Sequence, residues 1–268
     1  MLRIALVTTA VAVITVALIP AQWLSVRLEL PSRRSIPGIY HRMICRLLGV
    51  RITEIGACQP GRPLLVVSNH TSWLDIPVIT AVSPVVFVAK REVATWPLFG
   101  LLARLQRSVF VDRDRRHKVA EVNAEIAERL GAGDPVVLFA EGTSSDGNRV
   151  LPFRTALIGA ARNVLARQGR AEGVYVQPLS VAYTCLHGIA MGRYRRPVVA
   201  WYGSLDLVPH VGALMRHGAI DVVLTWGDPI ACDGGTDRKL LARQLETVVR
   251  RDTVAALRGH SFLPEKPL

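Results

Sequence analysis

Acidic side chains are in short supply: 21 Asp and Glu stand against 33 Lys and Arg in a chain of 268 residues, leaving a formal charge of +12. The favoured partners are therefore anionic: membrane lipids, phosphorylated substrates, an acidic carrier protein or nucleic acid. Aromatic residues are also few, at 6% of the chain, which argues against the stacking platforms of single-strand nucleic-acid binders. The four cysteines, Cys45, Cys58, Cys185 and Cys232, lie too far apart for zinc spacing and too thinly for a disulfide scaffold, and a reducing compartment is the simpler reading. There is no internal repeat, low-complexity tract or linker. Half of the residues are hydrophobic, enough for one cored domain with an appendage and too many for a disordered chain.

The largest gap in the charge pattern is at the start. From Ile4 to Leu24 no residue is charged, and as a helix those 21 residues would extend roughly 31 Å, about one hydrocarbon core. A cleaved signal peptide is the alternative, but the run is long and no clean small-x-small site follows it. A retained membrane anchor is expected. Between Arg27 and Arg51 six Arg face one Glu, so the positive-inside rule places the body on the cytoplasmic side of an inner membrane. The stretch from Ile36 to Ile52 interleaves Arg42, Arg46 and Arg51 with Ile39, Met43, Ile44, Leu47 and Leu48, the spacing of a basic amphipathic helix. Such a helix can lie on anionic headgroups or pack on the domain with its arginines in water.

Residues 1–59 thus read as an anchor and basic segment, and residues 60–268 as one catalytic-sized domain. In the latter, β-branched runs alternate with helical patterns. Strands are expected at Leu64–Ser68, Val85–Ala89, Ser108–Val111 and Pro135–Ala140, and later in VYVQPLSVAY, PVVAWYG and AIDVVLTWG. Helices are expected from about His117, with Val119, Val122, Ile126 and Leu130 on one face, and from Asp237 to Leu257. This alternation predicts an α/β fold with a mixed central sheet flanked by helices.

Directly after the first of these strands comes a polar cluster, Ser68-Asn69-His70-Thr71-Ser72-Trp73-Leu74-Asp75, where sites in α/β sheets often lie. A His and an Asp five residues apart can meet across a strand-to-helix turn. The carboxylate then orients the imidazole, whose other nitrogen is free to take a substrate proton. Taken alone, Asn69, Ser72 and Asp75 also fit helix caps. Further blocks follow in order: Lys90-Arg91-Glu92 with Trp96-Pro97-Leu98-Phe99-Gly100, then Phe110-Val111-Asp112-Arg113, then Phe139-Ala140-Glu141-Gly142-Thr143, then Val176-Gln177-Pro178-Leu179.

In order and spacing, these blocks resemble the glycerolipid acyltransferase family related to 1-acylglycerol-3-phosphate acyltransferase, closely over roughly residues 60 to 185. The resemblance implies that His70 is the general base toward an acceptor hydroxyl and Asp75 its partner. It implies an acceptor site drawn from Asn69, Lys90, Arg113, Glu141, Gly142, Thr143, Ser144 and Arg154, with Pro178 as a wall. A thioester donor, on acyl-carrier protein or CoA, is already activated, so neither metal nor other cofactor is implied. The implied partners are membrane lipids, acyl-carrier protein and a lyso-lipid, with no nucleic acid.

One departure bears on the acceptor. The family's third block usually reads Glu-Gly-Thr-Arg, whereas here Ser144 follows Glu141-Gly142-Thr143. A serine hydroxyl cannot replace a bidentate phosphate ligand. The longer run SSDGNRVLPFRTAL and the segments after it look like the lyso-ornithine lipid O-acyltransferase subgroup, whose acceptor is the 3-hydroxyl of an amide-linked fatty acid. The ordinary lysophosphatidate acceptor is the alternative within the same chemistry, with Arg113 and Arg154 still available to an anion. A non-catalytic basic membrane-surface protein is the alternative of another class, and it gives no reason for the four blocks.

Overall fold

In a computed structural model, residues 2–59, 61, 63–112, 119–155, 174–233 and 235–259 of the chain are described. Helix α1 (Leu2–Arg27) is followed by α2 (Ser32–Leu48). Gly49 ends α2 in the left-handed region, at φ 74°, where its amide reaches the carbonyls of Cys45 and Arg46. A side chain there would also strike the backbone of Ala219. Glycine therefore turns the chain straight into the sheet.

Among the described residues the sheet has nine strands: β1 (Val50–Ile55), β2 (Leu64–Ser68), β3 (Val86–Lys90), β4 (Val109–Val111), β5 (Val136–Phe139), β6 (Val174–Leu186), β7 (Ile189–Ala190), β8 (Ile220–Trp226) and β9 (Ile230–Cys232). The main path runs β1-β8-β6-β2-β5-β3-β4. Strands β6, β2, β5, β3 and β4 are mutually parallel, β8 is antiparallel to β6, and β1 is parallel to β8. The sheet is mixed and flanked by helices. It begins at Val50, ahead of residue 60, because the six residues after Gly49 pair with β8 from Val50↔Ile220 to Ile55↔Thr225.

Strand β2 shows why this sequence takes a central position. All five of its residues are buried, and alternate side chains serve two separate cores. Leu64 and Val66 join a cluster with Val78, Ile79, Phe139, Tyr183 and Leu224. Leu65 and Val67 join a second one with Ile126, Leu130, Val176, Leu245 and Val249. An unbroken apolar run is the expected pattern for a parallel strand covered on both faces. Full burial of each large aliphatic contributes about 1.5–3 kcal/mol. The first core lies under α2, α3 (Asp75–Val82) and α6 (Leu207–His217), and the second under α5 (Val119–Gly131) and α7 (Arg238–Leu257). Asp237 caps α7 by accepting from the amides of Lys239 and Leu240. The short α4 (Phe99–Leu105) follows β3.

The segment PVVAWYG, expected as a strand, is not one. Arg196–Val198 forms a short 3-10 turn and the chain then runs without regular structure to Tyr202. Its apolar pattern has another cause: Val199 and Ala200 are fully buried, and the Trp201 amide donates to Thr71 O at 2.9 Å. The run thus packs against the loop after β2.

Helix α1 is the one described helix long and apolar enough to cross a membrane, with a mean hydropathy of 2.4. It does not stand free. Near its start Arg3 donates to Arg216 O on α6 at 3.1 Å, in the middle the Thr15 and Tyr40 hydroxyls meet at 3.0 Å, and near its end Gln22 donates to Leu105 O at 2.7 Å and Arg33 O at 3.1 Å. Val7, Thr15, Gln22 and Ser25 form a buried stripe, while Leu6, Val13, Val16 and Trp23 face outward.

Candidate active site

The parallel strands bring their carboxyl ends to one edge, and there β2 gives way to residues 69–74 and then α3. Asp75, the first residue of α3, is fully buried. Its Oδ2 accepts from His70 Nδ1 at 2.8 Å and from the amides of Thr71 at 2.8 Å and Ser72 at 3.0 Å. Its Oδ1 accepts from the Tyr183 hydroxyl at 2.7 Å. Donors on both oxygens, at a helix start, suit an ionised carboxylate. Burial, foremost, and the neighbouring charge of Asp75 push the Tyr183 phenol well above its ordinary value, so it remains a donor.

Donation from Nδ1 to the carboxylate fixes the neutral tautomer and leaves Nε2 as the proton acceptor. The imidazole stacks on Phe139 at the end of β5, with ring centroids 4.0 Å apart and planes 17° from parallel. Its side chain is 18% exposed against 0% for Asp75. The ring is thus oriented from beneath while one edge remains within reach of a substrate.

Two further residues set the backbone of this loop. Asn69 spends both ends of its carboxamide on β6, donating to Val181 O and accepting from Val181 N, each at 2.9 Å. Glu141, just beyond β5, accepts from the His70 amide at 3.2 Å through Oε2 and from the Leu151 amide at 2.8 Å through Oε1. It is 2% exposed. Burial pushes its carboxyl up to about 8 despite those two amides, and the charge of Asp75 adds to the rise.

The loop after Glu141 closes over the turn. Gly142 sits at φ 72°, and a Cβ there would come within 2.8 Å of the Arg154 side chain, so the guanidinium arm lies directly over the Gly142 backbone. Ser145 N donates to His70 O at 2.9 Å. Asp146 accepts from the amide and side chain of Asn148, whose Oδ1 accepts from Arg196 at 2.8 Å. Thr143 is exposed and Ser144 half-buried on this loop. His70, Asp75, Asn69, Glu141, Gly142, Ser144 and Arg154 are therefore gathered in one region. Lys90 stands exposed at the end of β3 on the same sheet edge. Pro178 is on the other face, packed over Gly227 where Val248 of α7 also lies. Arg113 lies outside the described residues. Among the described residues no group of three His, Cys, Asp or Glu side chains is arranged to hold a metal ion.

The acyltransferase family profile matches residues 49–182, from the end of α2 to the middle of β6. The chain belongs to the acyltransferase family. This acyltransferase is 52% identical over 264 residues to a lyso-ornithine lipid O-acyltransferase of Brucella abortus (strain 2308), covering 98% of each chain. It is 44% identical over 259 residues to a lyso-ornithine lipid O-acyltransferase of Rhizobium meliloti (strain 1021), covering 97% of this chain and 88% of that one. In fold it is similar to the crystal structure of the 1-acyl-sn-glycerophosphate acyltransferase PlsC from Thermotoga maritima, with a TM-score of 0.65 over 95% of this chain and 96% of that one, at 23% identity. The acyltransferase is an enzyme forming an ester at a hydroxyl oxygen.

Sequence reasoning on the acyltransferase reached the imidazole and its carboxylate, named Phe139 only as the first residue of the third block, and missed Tyr183 and Arg196. Tyr183 did carry a signal: a phenol in an otherwise apolar buried strand needs a hydrogen-bond partner. Its place on the same face as Leu179 and Val181 points it toward the first core.

Proposed function

We propose that the chain transfers a fatty acyl group from acyl-carrier protein, or from a CoA thioester, to the 3-hydroxyl of lyso-ornithine lipid. The observation that carries the acceptor is the 52% identity over nearly the whole length of a relative of that name, together with Ser144 in the third block. His70 Nε2 takes the hydroxyl proton as the oxygen attacks the thioester carbonyl. The carbon–sulfur bond breaks, and the thiolate leaves with a proton returned by the imidazolium. Asp75 favours that imidazolium. No cofactor enters these steps. Asn69 and Glu141 act by positioning the His70 loop, since their polar atoms are engaged with backbone, and Gly142, Thr143, Ser144, Arg154 and Lys90 form the acceptor side. Arg113 belongs to the same proposal on the resemblance alone, and Pro178 supports the sheet behind it.

The Arg154 arm over Gly142 favours a second reading, 1-acylglycerol-3-phosphate as acceptor, because a guanidinium there suits a phosphate. The reaction takes place on the cytoplasmic face of the inner membrane. Both ends of α1 are held on the domain, so a spanning α1 would carry the domain into hydrocarbon. We place α1 in one leaflet, outer face down.

The test is transfer by His70→Ala. General-base help contributes a factor of about 100 to 10,000, so the folded variant should lose at least that lower factor. Mass spectrometry of the wild-type product should place the new ester on the 3-hydroxyl. A variant folded by circular dichroism that keeps more than about a tenth of turnover would exclude His70 as the base.

A further inference from the structure

The opposite edge of the sheet carries a second polar feature. A cleft of about 380 Å³ opens between the end of α1 and the segments entering β4 and β5, lined by Arg33, Arg104, Arg107 and Arg129 with Glu29 and Glu128, and by the half-buried Ser108. Arg107 and Ser108 precede β4 and Ala132 precedes β5. The cleft therefore sits at the amino ends of the parallel strands, whereas His70 follows the carboxyl end of β2. This position separates it from the transfer site.

Four guanidinium groups against two carboxylates leave the lining short of negative charge. The carboxylates present are already engaged: Glu29 by Arg33 at 3.4 Å, Glu128 by Arg129 at 2.7 Å, and the adjoining Asp134 by Arg107 at 2.6 Å and Arg34 at 2.7 Å. Burial, and then the like charges of Arg129 and Arg33, hold the Arg107 guanidinium below its ordinary value against the pull of Asp134. Bringing these cations together raises the energy of the empty cleft, and an anion among them relieves it. The surroundings indicate where that anion comes from. Beside the cleft, at the end of α1, Trp23, Leu24 and Leu28 are 57%, 47% and 58% exposed. An apolar patch with a Trp next to a cationic recess is the arrangement expected at headgroup depth.

We propose that this cleft binds the phosphate of an anionic bilayer lipid and so fixes the orientation of the domain on the membrane, separately from the transfer site. Its volume is within the range of small-molecule sites; Arg104 donates one N–H to Ala94 O at 2.6 Å and Arg33 meets Glu29 at 3.4 Å, and the remaining N–H groups of both guanidiniums suit a phosphate oxygen.

Thermal denaturation of the full chain in neutral detergent tests this, with short-chain phosphatidylglycerol, short-chain phosphatidylcholine and inorganic phosphate as the added probes. Phosphatidylglycerol at ten to a hundred times its dissociation constant should raise Tm by roughly 3–8 °C, and phosphatidylcholine of the same chain length should not. The Arg33→Gln/Arg104→Gln variant should bind about tenfold more weakly or worse, and Glu29→Gln should bind a few-fold more tightly. The second variant removes only a mostly exposed carboxylate, so it reports even where the first disturbs the fold. A rise with inorganic phosphate equal to that with phosphatidylglycerol would uphold the anion site and assign it to free phosphate. An equal rise with both lipids, or a full rise in the double variant, would overturn the proposal. Transfer in detergent by the double variant should stay within about twofold of wild type, because neither arginine is a hydrogen-bond partner of His70 or Asp75.

Discussion

Asp75 receives four hydrogen bonds, and only one of them comes from the imidazole it orients. The Tyr183 hydroxyl is the one that can be removed without changing the local chain. Tyr183→Phe leaves Oδ1 of a buried carboxylate without that donor, and hydrogen bonds to charged groups contribute about 1.5–3 kcal/mol. The carboxylate is held less firmly in the position that orients the imidazole, so kcat should fall roughly 3- to 30-fold with KM little changed; steady-state kinetics decide it. Glu141 makes a different prediction. An acid whose pKa rises on folding, here from 4.5 to about 8, holds its proton more tightly in the folded chain. Its contribution is fully present below pH 4.5 and is lost as pH climbs through 8. Between pH 5 and 8, wild type should lose stability relative to Glu141→Gln, on the order of 1–3 kcal/mol by urea denaturation. The two residues differ in how visible they were. His70 and Asp75 stand five apart in sequence and announce a local turn, whereas Tyr183 lies 108 residues from Asp75 and is delivered only by the parallel pairing of β2 with β6.

Elements were legible where pattern and burial agree. The continuous apolar run at Leu64–Ser68 became β2 over the same residues, and Asp237 opens the terminal helix as its cap. PVVAWYG failed because a buried apolar run needs only something to pack against, and here that is the loop after β2. In α1, hydropathy alone concealed the narrow stripe that docks it on the domain. That stripe is testable at its polar member. Gln22→Ala would leave the buried carbonyl of Leu105 without its donor and should cost about 1–3 kcal/mol, read as a lower Tm in detergent. The outward face makes the complementary prediction. Val13 and Val16 are 62% and 71% exposed, so Val13→Asp/Val16→Asp should leave Tm nearly unchanged while moving protein out of the membrane pellet. The pellet held after a high-salt wash should fall several-fold, because a high-salt wash screens charge attraction but leaves apolar insertion intact.

At the scale of the molecule, one sheet carries the proposed transfer site at the carboxyl ends of its parallel strands and an arginine cleft at their amino ends, with α1 laid along the body. The α/β plan was legible in the sequence, and so was the gathering of His70, Asp75 and Glu141 in one region, because blocks of neighbouring residues encode them. The cleft was not legible, since Arg33, Arg104, Arg107 and Arg129 meet only after α1, α2, α4 and α5 are packed. The acceptor is where the whole account is most exposed. Ser144 withholds a bidentate phosphate ligand whose hydrogen bonds to charge would contribute about 1.5–3 kcal/mol, which is about one to two powers of ten in preference. The direct measurement is kcat/KM for lyso-ornithine lipid and for lysophosphatidate, with one acyl-carrier protein donor, on wild type and Ser144→Arg. Wild type should prefer lyso-ornithine lipid, and the variant should shift the ratio toward lysophosphatidate. Equal or better use of lysophosphatidate by wild type would contradict the assignment of the acceptor.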